Sequence, residues 1–237
     1  SDNLYRDDII FNQQTPYQYI VLTKGGDDVR LYLNRVIQFS SVDEYRYHES
    51  IVHIPMSMAR YKKNILVLGG GEGLAIRELL KHPEVESITV VDLDPEMFRL
   101  SIENPYISAL NEQSLTHPKV TREATDAFVY LQFTNQLFDL IIADLPDPTN
   151  DAIARLYSKE FYKLAHRRLT PSGLFVTQAS SPYHTNQAFW SIEASMEAGG
   201  FAHTMPYHAY VPSYSGPARF SSCWGRSRTC ARSAYVG

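Results

Sequence analysis

Cysteine is almost absent from this chain: among its 237 residues only Cys223 and Cys230 are cysteines. Two thiols separated by six residues form neither a disulfide framework nor a zinc pattern, so a reducing compartment is expected. Long apolar runs are also missing. The longest have the length of a strand, so none reads as a membrane span, and no signal peptide is visible. Charge of one sign is not in excess, since 22 basic and 26 acidic residues leave a net −4. No basic run offers a phosphate-tracking groove, which speaks against a nucleic-acid partner. Internal repeats and low-complexity linkers are lacking too. What is present is ordinary globular composition, 44% hydrophobic and 20% charged. The length suits one large domain, or a large one with a small one.

The first 42 residues read as a small β unit. Tyr17 to Lys24 and Val29 to Ser41 are rich in aromatic and branched residues, and Gly25, Gly26, Asp27 and Asp28 between them mark a hairpin or short meander. Asp43 to Met58 reads as a helix with an acidic first turn, disturbed near its end by Pro55. From Ile65 the pattern alternates. Strands are expected at 65–69, 87–92, 119–123, 138–143 and 173–179, and helices at 74–81, 95–102, 126–133, 158–168 and 185–198. Alternation of this kind predicts an α/β fold, a Rossmann-like, doubly wound and mostly parallel sheet with helices on both faces. Phe201 to Val211 is a candidate sixth strand. After Ser215 the periodicity stops, and residues 215–237 are poor material for the antiparallel strand that would complete such a sheet. The expected division is therefore 1–42, 43–214 and an atypical tail at 215–237, disordered or non-native in origin.

The chemistry concentrates at predicted strand ends. Ile65 to Gly73 reads ILVLGGGEG, a buried strand running into a glycine turn that opens a helix, and Asp92 closes the next strand 21 residues after Gly71. Gly69 and Gly71 let backbone approach a ligand, and the acid at the second strand tip accepts hydrogen bonds from ribose hydroxyls. A dinucleotide fingerprint requires a third glycine where Leu74 stands. Glu72 would also face a pyrophosphate with like charge, so a cationic or neutral nucleoside fits better than NAD. An adenosyl sulfonium compound has that character.

Further carboxylates follow. Phe138 to Pro148 reads FDLIIADLPDP, placing Asp144 at a strand tip and Asp147 three residues on, in a loop stiffened by Pro146 and Pro148. Such a pair can take a proton from an amine or hold a cation; the plain alternative is a turn cap and a strand-end acid. Asp126 opens a helix and is either its N-cap or an acceptor for an adenine amino group. His48 shares a helix face with Tyr45 in DEYRYHES.

Together these motifs resemble the polyamine aminopropyltransferases, the spermidine and spermine synthase family, over roughly residues 17 to 214. The likeness rests on Tyr17-Gln18, Gln38, DEYRYHE at 43–49, GGGEG at 69–73, VDLD at 91–94, Asp126-Ala127 and DLPDP at 144–148. LYSKEFY at 156–162 and GLFVTQA at 173–179 extend it. The resemblance implies transfer of the aminopropyl group of decarboxylated S-adenosylmethionine to a polyamine, putrescine by default, with release of methylthioadenosine. By resemblance, Gln18, Gln38, Gly69, Gly71, Asp92, Asp126 and Ala127 would bind the donor nucleoside. Glu72 would hold its aminopropyl ammonium. Tyr47, His48, Asp147 and Tyr207 would face the polyamine, and Asp144 would be the base. The sulfonium is already a good leaving group, so neither a metal nor a bound cofactor is required. The family further implies a homo-oligomer and a cytoplasmic location. Some bacterial homologues carry an N-terminal membrane region. A chain starting at Ser1 without Met is consistent with a piece of such a protein, lying at the cytoplasmic face of the membrane.

Departures from the family pattern fall at Arg35, Ala127, the DLPDP loop and Asp151, where Gly, Gly, a DSSDP-like loop and Pro are usual. They bear more on the acceptor than on the donor, so spermidine stands as an alternative acceptor. Two other readings share the nucleoside half: an S-adenosylmethionine-dependent methyltransferase, and a non-catalytic nucleoside or polyamine binder.

Overall fold

The computed structural model describes residues 5–146, 151–179, 186–214 and 216–224. Four antiparallel strands come first: β1 (Asp8–Gln14), β2 (Tyr19–Gly25), β3 (Asp28–Leu33) and β4 (Val36–Ser40), paired in that order. The second apolar run is thus two strands, broken at Asn34 and Arg35, whose φ angles are +50° and +70°. A tight hairpin needs left-handed backbone at both central positions, which Asn tolerates and Arg resists. Asn34 is further tied down, its side chain accepting from the Tyr19 N–H at 2.9 Å. The departure at Arg35, where Gly is usual, therefore sits where glycine would relieve strain.

Helix α1 (Glu44–Met58) leads into the larger unit and runs through Pro55, with the Ala59 N–H reaching the Pro55 carbonyl at 2.9 Å. Then follow β5 (Asn64–Gly69), α2 (Leu74–Leu80), β6 (Ser87–Asp92), α3 (Pro95–Glu103), α4 (Pro105–Leu110), β7 (Val120–Ala124), α5 (Ala127–Phe133) and β8 (Phe138–Asp144). The chain continues with α6 (Asp151–Ala154), α7 (Lys159–Arg167), β9 (Leu169–Gln178), α8 (Asn186–Ala198), β10 (His203–Val211) and β11 (Gly216–Trp224).

The seven-stranded sheet has the order β10-β11-β9-β8-β5-β6-β7. Strands β7, β6, β5, β8 and β9 are parallel, while β11 runs antiparallel between β9 and β10. The expected α/β architecture is present. The expectation for the tail is corrected over 216–224: this segment pairs on both sides, and ladder hydrogen bonds supply what its weak periodicity does not. The remainder of the tail lies outside the described residues.

Strand β5 shows why the sheet is buried on both faces. Ile65 and Val67 point into one core with α1 and α2; Leu66 and Leu68 point into another with α5 and α7. All four are fully buried, each worth about 1.5–3 kcal/mol relative to exposure. A third cluster joins β2, β3 and β4 to α3 and α4 through Leu22, Leu31, Phe39, Met97, Leu100 and Ile107. It fixes the small sheet beside the carboxyl end of β6.

Candidate active site

The strand order reverses direction at β5 and β8, the neighbours from which successive strands spread outward. Ligand crevices in doubly wound sheets open at that point, beyond the carboxyl ends. Gly69 and Asp144 are register partners there, and Asp92 ends the next strand. A side chain at Gly69, whose φ is +81°, would put Cβ 2.0 Å from the Asp144 carbonyl oxygen. At Gly71 a Cβ would stand 2.6 Å from Asp92 Oδ2. Only glycine lets the loop lie against both acids.

Asp92 receives the Gly71 N–H at 3.0 Å on Oδ2 and the Asp94 N–H at 3.0 Å on Oδ1. Burial nevertheless pushes its carboxyl up to about 6, against the lowering effect of those amides and with help from the nearby Glu72 charge. Asp144 is also held up at about 6, by burial first and then by Glu72. The His48 charge and the Tyr47 hydroxyl oppose the rise. Tyr47 donates to Asp144 Oδ1 at 2.5 Å, which fixes the carboxylate's orientation. Burial, and then the Asp144 charge, raise the Tyr47 phenol well above its usual value, so it acts as a donor.

His48 is 3% exposed and lies between two acids: Nδ1 is 2.7 Å from Glu44 Oε2, and Nε2 is 3.5 Å from Glu72 Oε1. Burial alone would lower its pKa; the two carboxylates outweigh that and hold it at about 10. Ligand atoms of His48, Glu72 and Asp144 lie within 4.8 Å of one another, a spacing fit for a cation. With both ring nitrogens directed at carboxylates, His48 has no lone pair free for a metal, and the donor set better matches an ammonium held by Glu72 and Asp144.

The expected residues divide into groups. Gly69, Gly71, Glu72, Asp92, Asp144, Tyr47 and His48 converge at the switch point. Gln18 reaches the tip of β6 but donates to Asp94 Oδ2 at 3.0 Å, alongside Thr15 at 2.7 Å. Asp94 itself N-caps α3. Asp126 is the N-cap of α5, accepting from Phe128 and Val129, and its other oxygen pairs with Arg155. Ala127 is buried in the first turn behind it. Gln38 Nε2 bonds the Val36 carbonyl of its own strand, and the Tyr207 hydroxyl bonds the Ser50 carbonyl in α1. Asp147 lies outside the described residues.

Sequence reasoning missed the supports. Tyr157 donates to the Leu145 and Pro146 carbonyls and Gln178 to Leu145, pinning the start of the loop after β8. Tyr214 packs on Tyr47 at 5.9 Å and donates to the Gln38 carbonyl. Ser213 binds Asp43 through its N–H at 2.6 Å and its hydroxyl at 2.7 Å, closing β10 onto the start of α1. The signals available beforehand were LYSKEFY and GLFVTQA, which contain Tyr157 and Gln178 but name no partner, and the tyrosines around Tyr207, which carried no register.

Fold and site together define an α/β protein with an acid-lined crevice at the switch point of its sheet. The family model of the spermine/spermidine synthase domain matches residues 44–233, and the chain belongs to that family. A polyamine aminopropyltransferase of Leptospira interrogans is 44% identical over 213 residues, covering 90% of this chain and 43% of that protein. Polyamine aminopropyltransferase 2 of Ralstonia nicotianae is 46% identical over 211 residues, covering 89% and 41%. The chain thus spans about two fifths of the length of these curated relatives. Among solved structures, a spermidine synthase in complex with the transition-state analogue AdoDATO superposes with a TM-score of 0.85 at 25% identity, covering 91% of this chain and 73% of that one. Spermidine synthase from Thermotoga maritima gives 0.83 at 26% identity, covering 91% and 72%.

Proposed function

We propose that this chain carries the catalytic unit of a polyamine aminopropyltransferase, moving the aminopropyl group of decarboxylated S-adenosylmethionine onto putrescine. The observation that carries this reading is the cluster of Asp144, Glu72 and His48 at the sheet's switch point, one strand from Asp92. In this reading Asp92 takes the ribose hydroxyls, with Gly69 and Gly71 giving the nucleoside close access. Gln18 and Gln38 flank it from the small sheet. Ala127 and Asp126 meet the adenine, Asp126 accepting the amino group as Arg155 gives way. Glu72 holds the donor's ammonium, while Asp147 and Tyr207 contact the far end of the acceptor.

The step balances without a co-reactant beyond the donor. The acceptor nitrogen forms a bond to the aminopropyl carbon next to sulfur, and the carbon–sulfur bond breaks. Its electron pair leaves with methylthioadenosine, and one amine proton passes to Asp144. An aliphatic ammonium at about 10.4 against an ordinary aspartate at about 3.9 makes that transfer uphill by roughly 9 kcal/mol. With Asp144 at about 6 the gap narrows to roughly 6 kcal/mol. Desolvation of the amine in the crevice narrows it further, and alignment of nitrogen, carbon and sulfur supplies the remainder of the acceleration. Tyr47 fixes the carboxylate that receives the proton.

A methyltransferase reading fits the same nucleoside crevice less well. The full methyl donor carries a carboxylate, which Glu72 and Asp144 would repel. Titration calorimetry with the two donors separates the readings. The decarboxylated donor should bind at least about tenfold tighter, equivalent to about 1.4 kcal/mol; equal or tighter binding of S-adenosylmethionine would overturn the proposal.

A further inference from the structure

Behind the acid cluster lies a second layer of buried charge that the transfer step itself does not use. Arg77 on α2 is 8% exposed and Glu44 at the start of α1 is 3% exposed. The Arg77 guanidinium grips Glu44 with two nitrogens, 2.8 Å to Oε1 and 3.2 Å to Oε2. Its own placement is over-determined by Glu78 Oε1 at 2.9 Å from Nε and by the Leu110 carbonyl at 2.8 Å. Glu44 in turn meets His48 Nδ1 with both its carboxylate and its backbone carbonyl, at 2.7 and 3.0 Å.

Two acceptors at Nδ1 fix a proton on that nitrogen, whatever the charge of the ring. The opposite nitrogen then decides the charge. Glu72 Oε1 is buried and has no hydrogen-bond partner among the described residues; its close neighbour there is His48 Nε2 at 3.5 Å. A bare lone pair there would face a buried carboxylate oxygen, whereas an N–H would answer it. The groups directed at the ring are Glu44 from α1, Glu72 from the glycine loop and Asp144 from the end of β8; Tyr47 packs edge-on at 5.0 Å.

We propose that Arg77 and Glu44 are positioning residues: they hold His48 as a fixed imidazolium whose Nε2–H orients Glu72 beside Asp144. The proposal rests on the aminopropyl-transfer reading for its consequence, but its structural part stands independently of turnover. The cation separates two acids that would otherwise repel each other across an empty crevice. It also leaves Glu72 aimed at the space where the donor's ammonium is to lie. Arg serves here and Lys does not, because only a planar fork sets both carboxylate oxygens at once.

The test follows the His48 ring by nitrogen NMR from pH 5 to 9, in the wild type and in Glu44→Gln, alongside the pH profile of kcat. Wild-type His48 should stay doubly protonated through neutral pH. In Glu44→Gln its midpoint should fall into the range of about pH 6 to 8, where an ordinary imidazole titrates. The variant's kcat should drop at least tenfold on the alkaline side of that midpoint. If Glu44→Gln does not fold, Arg77→Lys, which keeps the positive charge, should lower the His48 midpoint by at least one pH unit. A wild-type midpoint near 6.5, or an unchanged midpoint in a folded variant, would overturn the proposal. A wild type that shows the fixed imidazolium yet transfers no aminopropyl group would sink the functional reading and leave this one standing.

Discussion

Replacing the proposed base should make the folded protein more stable, not less. Asp144 is held up at about 6, chiefly by burial and then by Glu72. Its ordinary value is near 3.9. Because the folded-state value is raised, the fold prefers the protonated acid. The favourable contribution is complete below about pH 4 and is lost as pH rises through about 6. At pH 7.5 the ionised group therefore costs the fold about 3 kcal/mol at most, at about 1.36 kcal/mol per pH unit. Asp144 keeps some contact with solvent, which brings the expected figure to about 2 kcal/mol. Asn at 144 cannot ionise, and its amide oxygen can still accept from Tyr47. Thermal unfolding of Asp144→Asn at pH 7.5 should show a midpoint about 4–8 °C higher than the wild type. The two proteins should converge near pH 4. A variant less stable at pH 7.5, or a difference that ignores pH, would refute the argument that this carboxylate is held in an unfavourable charge state.

The hairpin and the glycine loop give further tests. Arg35→Gly should stabilise the protein by about 1 kcal/mol, because φ of +70° costs an ordinary side chain that much; an unchanged or lower unfolding midpoint would count against strain there. Gly71→Ala should displace Asp92 and weaken nucleoside binding at least tenfold, since the added Cβ would lie 2.6 Å from Oδ2; calorimetry showing unaltered affinity would contradict the loop's role. The rate of transfer should rise with pH through about 6, as Asp144 loses its proton. A rate flat from pH 5 to 8 would remove Asp144 as the base.

Strands β5, β6 and β8 were legible because each is a short apolar run with polar punctuation, and they fall within a residue of their expected bounds. The convergence of Gly69, Gly71, Asp92 and Asp144 followed from topology alone, since parallel strands place all their carboxyl ends together. Other features depend on partners distant in sequence. Strand β1 (DIIFNQQ) alternates only weakly and acquires its shape by pairing with β2. Strand β11 is stabilised between two neighbours rather than by its own composition. Asp126 illustrates a choice the sequence leaves open: N-cap and adenine acceptor ask for the same residue in the same place, and its Arg155 partner is 29 positions away. The Arg77 link to Glu44 was invisible for the same reason, because an ion pair across 33 residues leaves no local pattern.

The most direct measurement is an end-point assay with decarboxylated S-adenosylmethionine and putrescine, cadaverine or spermidine offered separately. The account predicts methylthioadenosine released in equal amount with one new polyamine, spermidine when putrescine is the acceptor, and no release in Asp144→Asn. A folded sample that binds the donor nucleoside but releases no methylthioadenosine with any of the three amines would contradict it.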